Sequence, residues 1–359
     1  MADSGHGVRG SLQWAAGLLL VLQAASVAAQ KAEGLYFSHG DWEVACDNTR
    51  TCRAAGYHRD EATQRISVLL TRVGGPGAPV TGQLALGEPD EETTPPSRPP
   101  SSLTLRINGQ TVGTVAVRGS TPVPLPTPLV TALLKVLPKS SEIRWEAGQQ
   151  HWVLSDRGAA AVLLKMDDYQ GRLNTPGALM RPGTRDEQQV PAALPAPVLQ
   201  AASLPPTTQA DRELGRRKPA ALRDALRRTL KSEDNCDLDD PELQAEPWAV
   251  WRLSANQLAV VARCWSAAYN MGSGLWVVQD RPPYTARLVT TDATEWEGVK
   301  ASSEQKGRGL GDCWSHMAWV WDGRQFQRAL DQSTGLCKLM AGGGVWALPT
   351  WVTDPGTRR

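Results

Sequence analysis

Six cysteines (Cys46, Cys52, Cys236, Cys264, Cys313 and Cys337) follow an apolar N-terminal stretch, and together these two features restrict the fold more than anything else in the chain. Disulfides form and persist outside the reducing cytosol, and an even number lets every thiol pair. The N-terminus has a weakly basic head with His6 and Arg9, then an apolar run from Leu12 to Ala29. The run closes in small residues, with Val27 and Ala29 at the recognition positions of a signal peptidase. A retained membrane helix needs about 20 apolar residues with anchoring charge on both sides. This run is shorter and its cleavage signal is good, so residues 1–29 read as a removed signal peptide. No Cys stands at the cleavage point to carry a lipid, and no later stretch of the mature chain is apolar enough to be a transmembrane segment. A periplasmic or secreted location is expected.

The cysteines then read as staples. Cys46 and Cys52 enclose Asp-Asn-Thr-Arg-Thr and suit a bridge across a short connection between strands. The other four allow three pairings. Cys236–Cys264 and Cys313–Cys337 are preferred, because neighbouring pairs suit a hairpin-rich topology. Structural zinc sites favour close pairs such as C-x2-C. None is present, and His39, His58, His151 and His316 are scattered, so no metal and no cofactor is expected.

Charge excludes one class of partner. The 38 Lys+Arg balance 37 Asp+Glu, whereas a dedicated nucleic-acid binder needs positive charge in excess on one face. The length of 359 residues suggests two domains. Residues 183–218 are rich in Pro, Ala and Gln without helical or alternating period, and read as a semi-extended linker. The expected organisation is a β-rich domain at 30–182, that linker, and a Trp-rich domain at 219–355. Ten of the 14 tryptophans fall between Trp248 and Trp351. The fold class is mostly β, or α+β: two antiparallel-sheet domains, disulfide-stapled, with a few packed helices. Alternating apolar residues flank Asn108-Gly109 and Asp322-Gly323, dipeptides that suit tight hairpin turns. Helices are expected at 126–137, from Ser155 as N-cap, and at 219–231.

The segment Lys306-Gly-Arg-Gly-Leu-Gly-Asp-Cys313 is the strongest candidate for function. Its glycines can expose backbone amides, and Lys306 and Arg308 can help form an anion-binding nest. The plainer reading is a glycine turn delivering Cys313 to its partner, with Asp312 capping amides. Ser303-Glu-Gln-Lys306 matches an S-x-x-K acyltransferase pattern, but the accompanying motifs are absent or reversed. Asp167-Asp168 and Asp239-Asp240 read as solvated or capping pairs. Trp319 and Trp321 share a sheet face, and Trp346 and Trp351 are candidates for an exposed aromatic platform that stacks on a sugar or a partner protein.

Several long motifs carry a family resemblance. Phe37-Ser-His-Gly-Asp-Trp-Glu-Val-Ala-Cys through Tyr57 resembles the opening of the domain-of-unknown-function 1176 family of exported bacterial proteins. Gly158 through Arg172, Cys264-Trp-Ser-Ala-Ala-Tyr-Asn270 and Lys306 through Cys313 extend the likeness over nearly the whole mature chain. The first domain is also similar to the invasion-associated locus B proteins. The resemblance implies export and paired cysteines, and brings no catalytic residue. The expected function is a non-enzymatic binding protein for an envelope component, protein or glycan, possible roles including an inhibitor or immunity protein. The alternative is an envelope hydrolase with its site around Lys306–His316.

Overall fold

The computed structural model describes residues 34–88 and 100–356. The expected signal peptide and the acidic run at 90–92 lie outside the described residues. In the first half the elements are β1 (Leu35–His39), β2 (Trp42–Cys46), β3 (Cys52–Tyr57), β4 (Ile66–Arg72), β5 (Val80–Leu86), β6 (Ser102–Ile107), β7 (Gln110–Ala116), β8 (Val123–Pro124), α1 (Thr127–Val136), β9 (Ile143–Ala147), β10 (Gln150–Leu154) and α2 (Ala159–Tyr169). In the second they are α3 (Gln209–Arg217), α4 (Ala220–Arg227), β11 (Ala249–Arg252), β12 (Gln257–Ser266), β13 (Met271–Gln279), β14 (Ala286–Ala293), β15 (Glu295–Glu297), β16 (Lys300–Lys306), β17 (Trp314–Trp321), β18 (Phe326–Ser333) and β19 (Leu348–Val352).

The strands form four antiparallel sheets, in the orders β1-β2-β3-β4-β5-β8, β10-β9-β6-β7, β11-β12-β13-β14 and β15-β16-β17-β18-β19. Both expected hairpins are present. Asn108 and Gly109 take positive φ between β6 and β7. Asp322 turns β17 into β18 by accepting the Arg324 and Gln325 amides. All three disulfides form, Cys46–Cys52, Cys236–Cys264 and Cys313–Cys337, so neighbouring cysteines pair throughout.

Helix α2 begins later than expected. Gly158 (φ 98°) precedes its first turn, because any Cβ there would overlap the His39 carbonyl. Ser155, expected as the cap, is buried and donates to Asp41 Oδ2 at 2.6 Å.

The first core lies between the first two sheets, with Trp42, Val68 and Leu70 against Leu105, Leu133 and Met166. In the second half α4 packs Leu222 and Leu226 onto one face of β11–β14. The other face of that sheet packs Ala259, Val261 and Leu275 against Trp319, Trp321 and Phe326 of the fourth sheet. A fourth cluster joins the halves: Ala45, Ala55, Tyr57 and Leu69 of the first sheet meet Leu336, Met340, Trp346 and Leu348. The described residues accordingly form one compact unit.

The Pro/Ala-rich stretch touches both halves along its length. Leu194 N–H donates to Thr49 O at 3.0 Å, Leu199 N–H to Asp354 O at 2.8 Å, and Ala202 N–H to Trp321 O at 3.0 Å. Its last part is helix α3, opened by a Thr208–Asp211 capping box. Prolines remove donors, so this stretch docks through isolated bonds rather than a ladder. Such docking leaves no periodic trace in sequence.

Candidate functional site

Residues 307–313 connect β16 to β17, and short-range chemistry sets their shape. Gly307 N–H closes the base of the loop onto Cys313 O at 2.8 Å. A Cβ on Gly307 would sit 2.8 Å from the Cys313 sulfur and 3.1 Å from that of Cys337, so the disulfide requires glycine here. Gly311 (φ 68°) returns its N–H to Arg308 O at 3.0 Å. Arg308 clasps Asp312 through two bonds, Nε–Oδ1 at 2.8 Å and Nη2–Oδ2 at 2.7 Å, a bidentate pairing that fixes both side chains.

Other segments hold the loop from outside. Asn270 grips the Lys306 backbone twice, Nδ2 to its carbonyl and Oδ1 from its amide, both at 2.9 Å. Asp312 Oδ2 accepts Leu339 N–H at 2.6 Å. Gly311 O accepts the Trp314 indole and Gly343 N–H, both at 2.8 Å. Burial pushes the Asp312 carboxyl up, but the Arg308 and Leu339 hydrogen bonds outweigh it and hold the group below its ordinary range. The anion nest expected here is therefore partly filled by the loop itself: two amides serve internal bonds and the guanidinium serves Asp312.

Beyond the loop the outer sheet face carries a polar and aromatic ladder. Lys306 stands over Trp314, with Nζ 5.4 Å from the ring centroid. Trp314 stacks on His316 at 6.2 Å between centroids, and His316 Nδ1 lies 3.7 Å from Glu304 Oε1. Ser303 and Lys306 sit on a strand at odd spacing, so they project to opposite faces, and Ser303 is buried. The S-x-x-K resemblance thus lacks the geometry in which a lysine activates a serine. Asp312, Cys313 and Cys337 place three potential metal-ligand atoms within 4.8 Å of one another. Both sulfurs are joined in the disulfide, and Arg308 holds the carboxylate.

The expected exposed tryptophan platform does not form from these residues. Trp319, Trp321, Trp346 and Trp351 are all buried. Trp319 and Trp321 fill the core between the two second-half sheets. Trp346 donates to Ser67 Oγ at 2.7 Å across the join between halves. Trp351 lies under Arg328, whose guanidinium carbon is 4.6 Å from its ring centroid. With only two Phe in the chain, tryptophan supplies the core volume. A cleft of about 640 Å³ opens elsewhere on the fourth sheet, lined by residues that include Glu295, Trp296, Lys300, Ser302, Trp319 and Val320.

Apolar residues that sequence reasoning passed over surround the glycine loop instead. Leu310, at the tip, is 70% exposed. Tyr269 is 48% exposed, and its ring flanks Gly309. Leu339 is 37% exposed, with its amide tied to Asp312. The available signal was a leucine set between two glycines, Gly309-Leu310-Gly311, where the backbone leaves no neighbouring side chain to cover it.

The join beside this loop is polar as well as apolar. Glu43 is fully buried; its Oε1 accepts Tyr57 Oη at 2.6 Å and Leu336 N–H at 2.7 Å, and its Oε2 accepts Tyr36 Oη at 3.0 Å. Lys338, on the other side of Cys337, pairs with Asp41 at 2.7 Å and with Asp60. Burial pulls the Lys338 ammonium down, yet the bonds and charges of Asp41 and Asp60 prevail and its pKa stands raised. Cys337 therefore ties the loop to a segment anchored on the first sheet from both sides.

A family model described as "Protein of unknown function (DUF1176)" matches residues 36–353. The uncharacterized protein YpfG of Escherichia coli (strain K12) is 24% identical over 344 residues, which cover 87% of this chain and 91% of that protein. No solved structure matches the chain.

Proposed function

We propose, for a chain that belongs to the family of proteins of unknown function DUF1176, that it is a non-enzymatic binding protein of the periplasm or the extracellular space. It recognises a component of the cell envelope through the loop Lys306–Cys313 and its surroundings. The observation that carries this reading is the contrast within that loop. Its backbone is held by a disulfide, a bidentate ion pair and bonds to Asn270, Leu339 and Gly343, while Leu310 at its tip is 70% exposed. A rigid loop that presents an uncovered side chain loses little conformational freedom on docking. Three disulfides support an oxidising compartment, and among the described residues no helix is long and apolar enough to cross a membrane.

The test is retention from periplasmic extract. Immobilised oxidised chain is expected to hold a protein or glycan that the reduced chain releases. Equal retention by both forms, or none by either, would sink the proposal.

A further inference from the structure

We infer that Cys313–Cys337 is a thiol-exchange site: of the three disulfides it is the one that a dithiol reductant opens while the chain stays folded, and its opening unties the loop Lys306–Cys313 from the segment 334–348. The exchange stands apart from the binding reading above; only its bearing on recognition rests on that reading. Access makes the first selection, because an attacking thiolate must reach a sulfur. Cys46 and Cys52 are both fully buried. The other two bonds each join a buried cysteine, Cys264 or Cys313, to a half-buried one, Cys236 or Cys337. At Cys313–Cys337 the neighbour lying against both sulfurs is Gly307, which is itself exposed and brings no side chain to shield them.

Charge separates the two accessible bonds. Five carboxylates and no cation stand within four residues of Cys236. Arg227 and Lys231 pair with Asp239 and Glu233, and Arg263, beside Cys264, turns to Met271 Sδ. Asp234, Asp237 and Asp240 spend their hydrogen bonds on backbone amides and keep their charge. Around Cys313–Cys337 the charges cancel. Arg308 holds Asp312, and Lys338 stands between Asp41 and Asp60. Arg65 and Glu88 both reach the segment 339–342, and Lys306 completes the balance. An anionic attacker therefore meets repulsion at Cys236 and no net repulsion at Cys337.

The exchange balances between the chain and the reductant. A thiolate of the reductant bonds to Cys337 Sγ as the Cys313–Cys337 bond breaks, and the departing Cys313 sulfur takes the bonding pair and then a proton. The reductant's second thiol displaces Cys337 in the same way and closes the reductant's own disulfide. Asp312 still accepts Leu339 N–H, and Gly307 still donates to Cys313 O, so the loop loosens locally.

The test exposes the oxidised full chain to graded dithiothreitol, traps thiols with N-ethylmaleimide and maps them by peptide mass spectrometry. Cys313 and Cys337 should be labelled at least about tenfold faster than Cys236 and Cys264, with Cys46 and Cys52 protected and near-ultraviolet circular dichroism retained. Raising salt to about 0.5 M should speed Cys236 labelling and leave Cys337 within about twofold, because screening removes the repulsion. An equal salt response at both bonds overturns the role of charge. Cys236–Cys264 opening first, or all three bonds opening together as the circular dichroism collapses, overturns the site. After selective opening, amide exchange at Gly311 and Leu339 should rise; unchanged exchange overturns the untying. A loop that captures no partner would sink the binding reading and leave each of these results as it stands.

Discussion

The first sheet buries both faces, by different means. Its inner face places Trp42, Val44, Val68 and Leu70 against apolar side chains of the same half. Its outer face is covered by the segment 334–348, from the far end of the chain; there Glu43 accepts from Leu336 N–H and from Tyr57 of the same sheet, and Ser67 Oγ accepts from the Trp346 indole. The inner face is held by burial, which is non-directional. The outer face buries an apolar cluster too, but adds hydrogen bonds that are satisfied in one register only, since a buried donor or acceptor left unpaired is costly. Apolar burial thus holds the half together. The polar join decides where the covering segment sits and, through Cys337, where the loop Lys306–Cys313 is presented.

Cutting into the inner face should cost most. Trp42→Ala removes a fully buried ring and its bond to Ser155 O, and roughly 3–5 kcal/mol of stability should be lost, read as the urea midpoint.

Disulfides separate the two regions next. Replacing Cys313 and Cys337 by serine opens a 24-residue separation and should cost about 3.5 kcal/mol, against about 2.4 kcal/mol for the 6-residue Cys46–Cys52 pair. The larger loss should come with faster amide exchange at Leu339 and Gly311. Equal exchange in both variants would break the proposed link between join and loop.

Lys338→Met strands the buried Asp41 carboxylate and should cost about 3 kcal/mol, part of it recovered by adding Asp41→Asn. The same variant tests the pH dependence. The hydrogen bond and charge of Lys338 hold the Asp60 carboxyl below its ordinary range. Stability from that pairing is present above the unfolded carboxyl pKa of about 3.9 and is lost as pH falls through the lower folded value. The acid limb of the stability profile should therefore be shallower in Lys338→Met.

Glu43→Gln should matter least. The amide oxygen can still accept from Tyr57 and Leu336, and burial already raises the Glu43 pKa. A change of about 1 kcal/mol or less is expected. A loss as large as that from Trp42→Ala would show that the carboxylate charge itself holds the join.

Much of the fold was legible because its signals are local. Asn108-Gly109 and Asp322-Gly323 turn where expected, and α1 and α4 lie within the spans their apolar spacing marks. Helix α3 was not legible: its polar stripe has two buried positions, Asp211 and Gly215, and Asp211 is anchored by Arg252 from β11. Of the candidate site, the loop Lys306–Cys313 stood out through its glycines. Its clamps did not, because Asn270 and Leu339 approach from other segments.

The sequence by itself determined the compartment chemistry expected of six cysteines, the strand-rich class and the tight turns, since each depends on residues a few positions apart. Only the tertiary structure decided exposure: the late tryptophans turned inward, and Leu310 outward. Alternation along a strand reveals that it has two faces, but which distant segment covers each face is settled when the chain closes on itself.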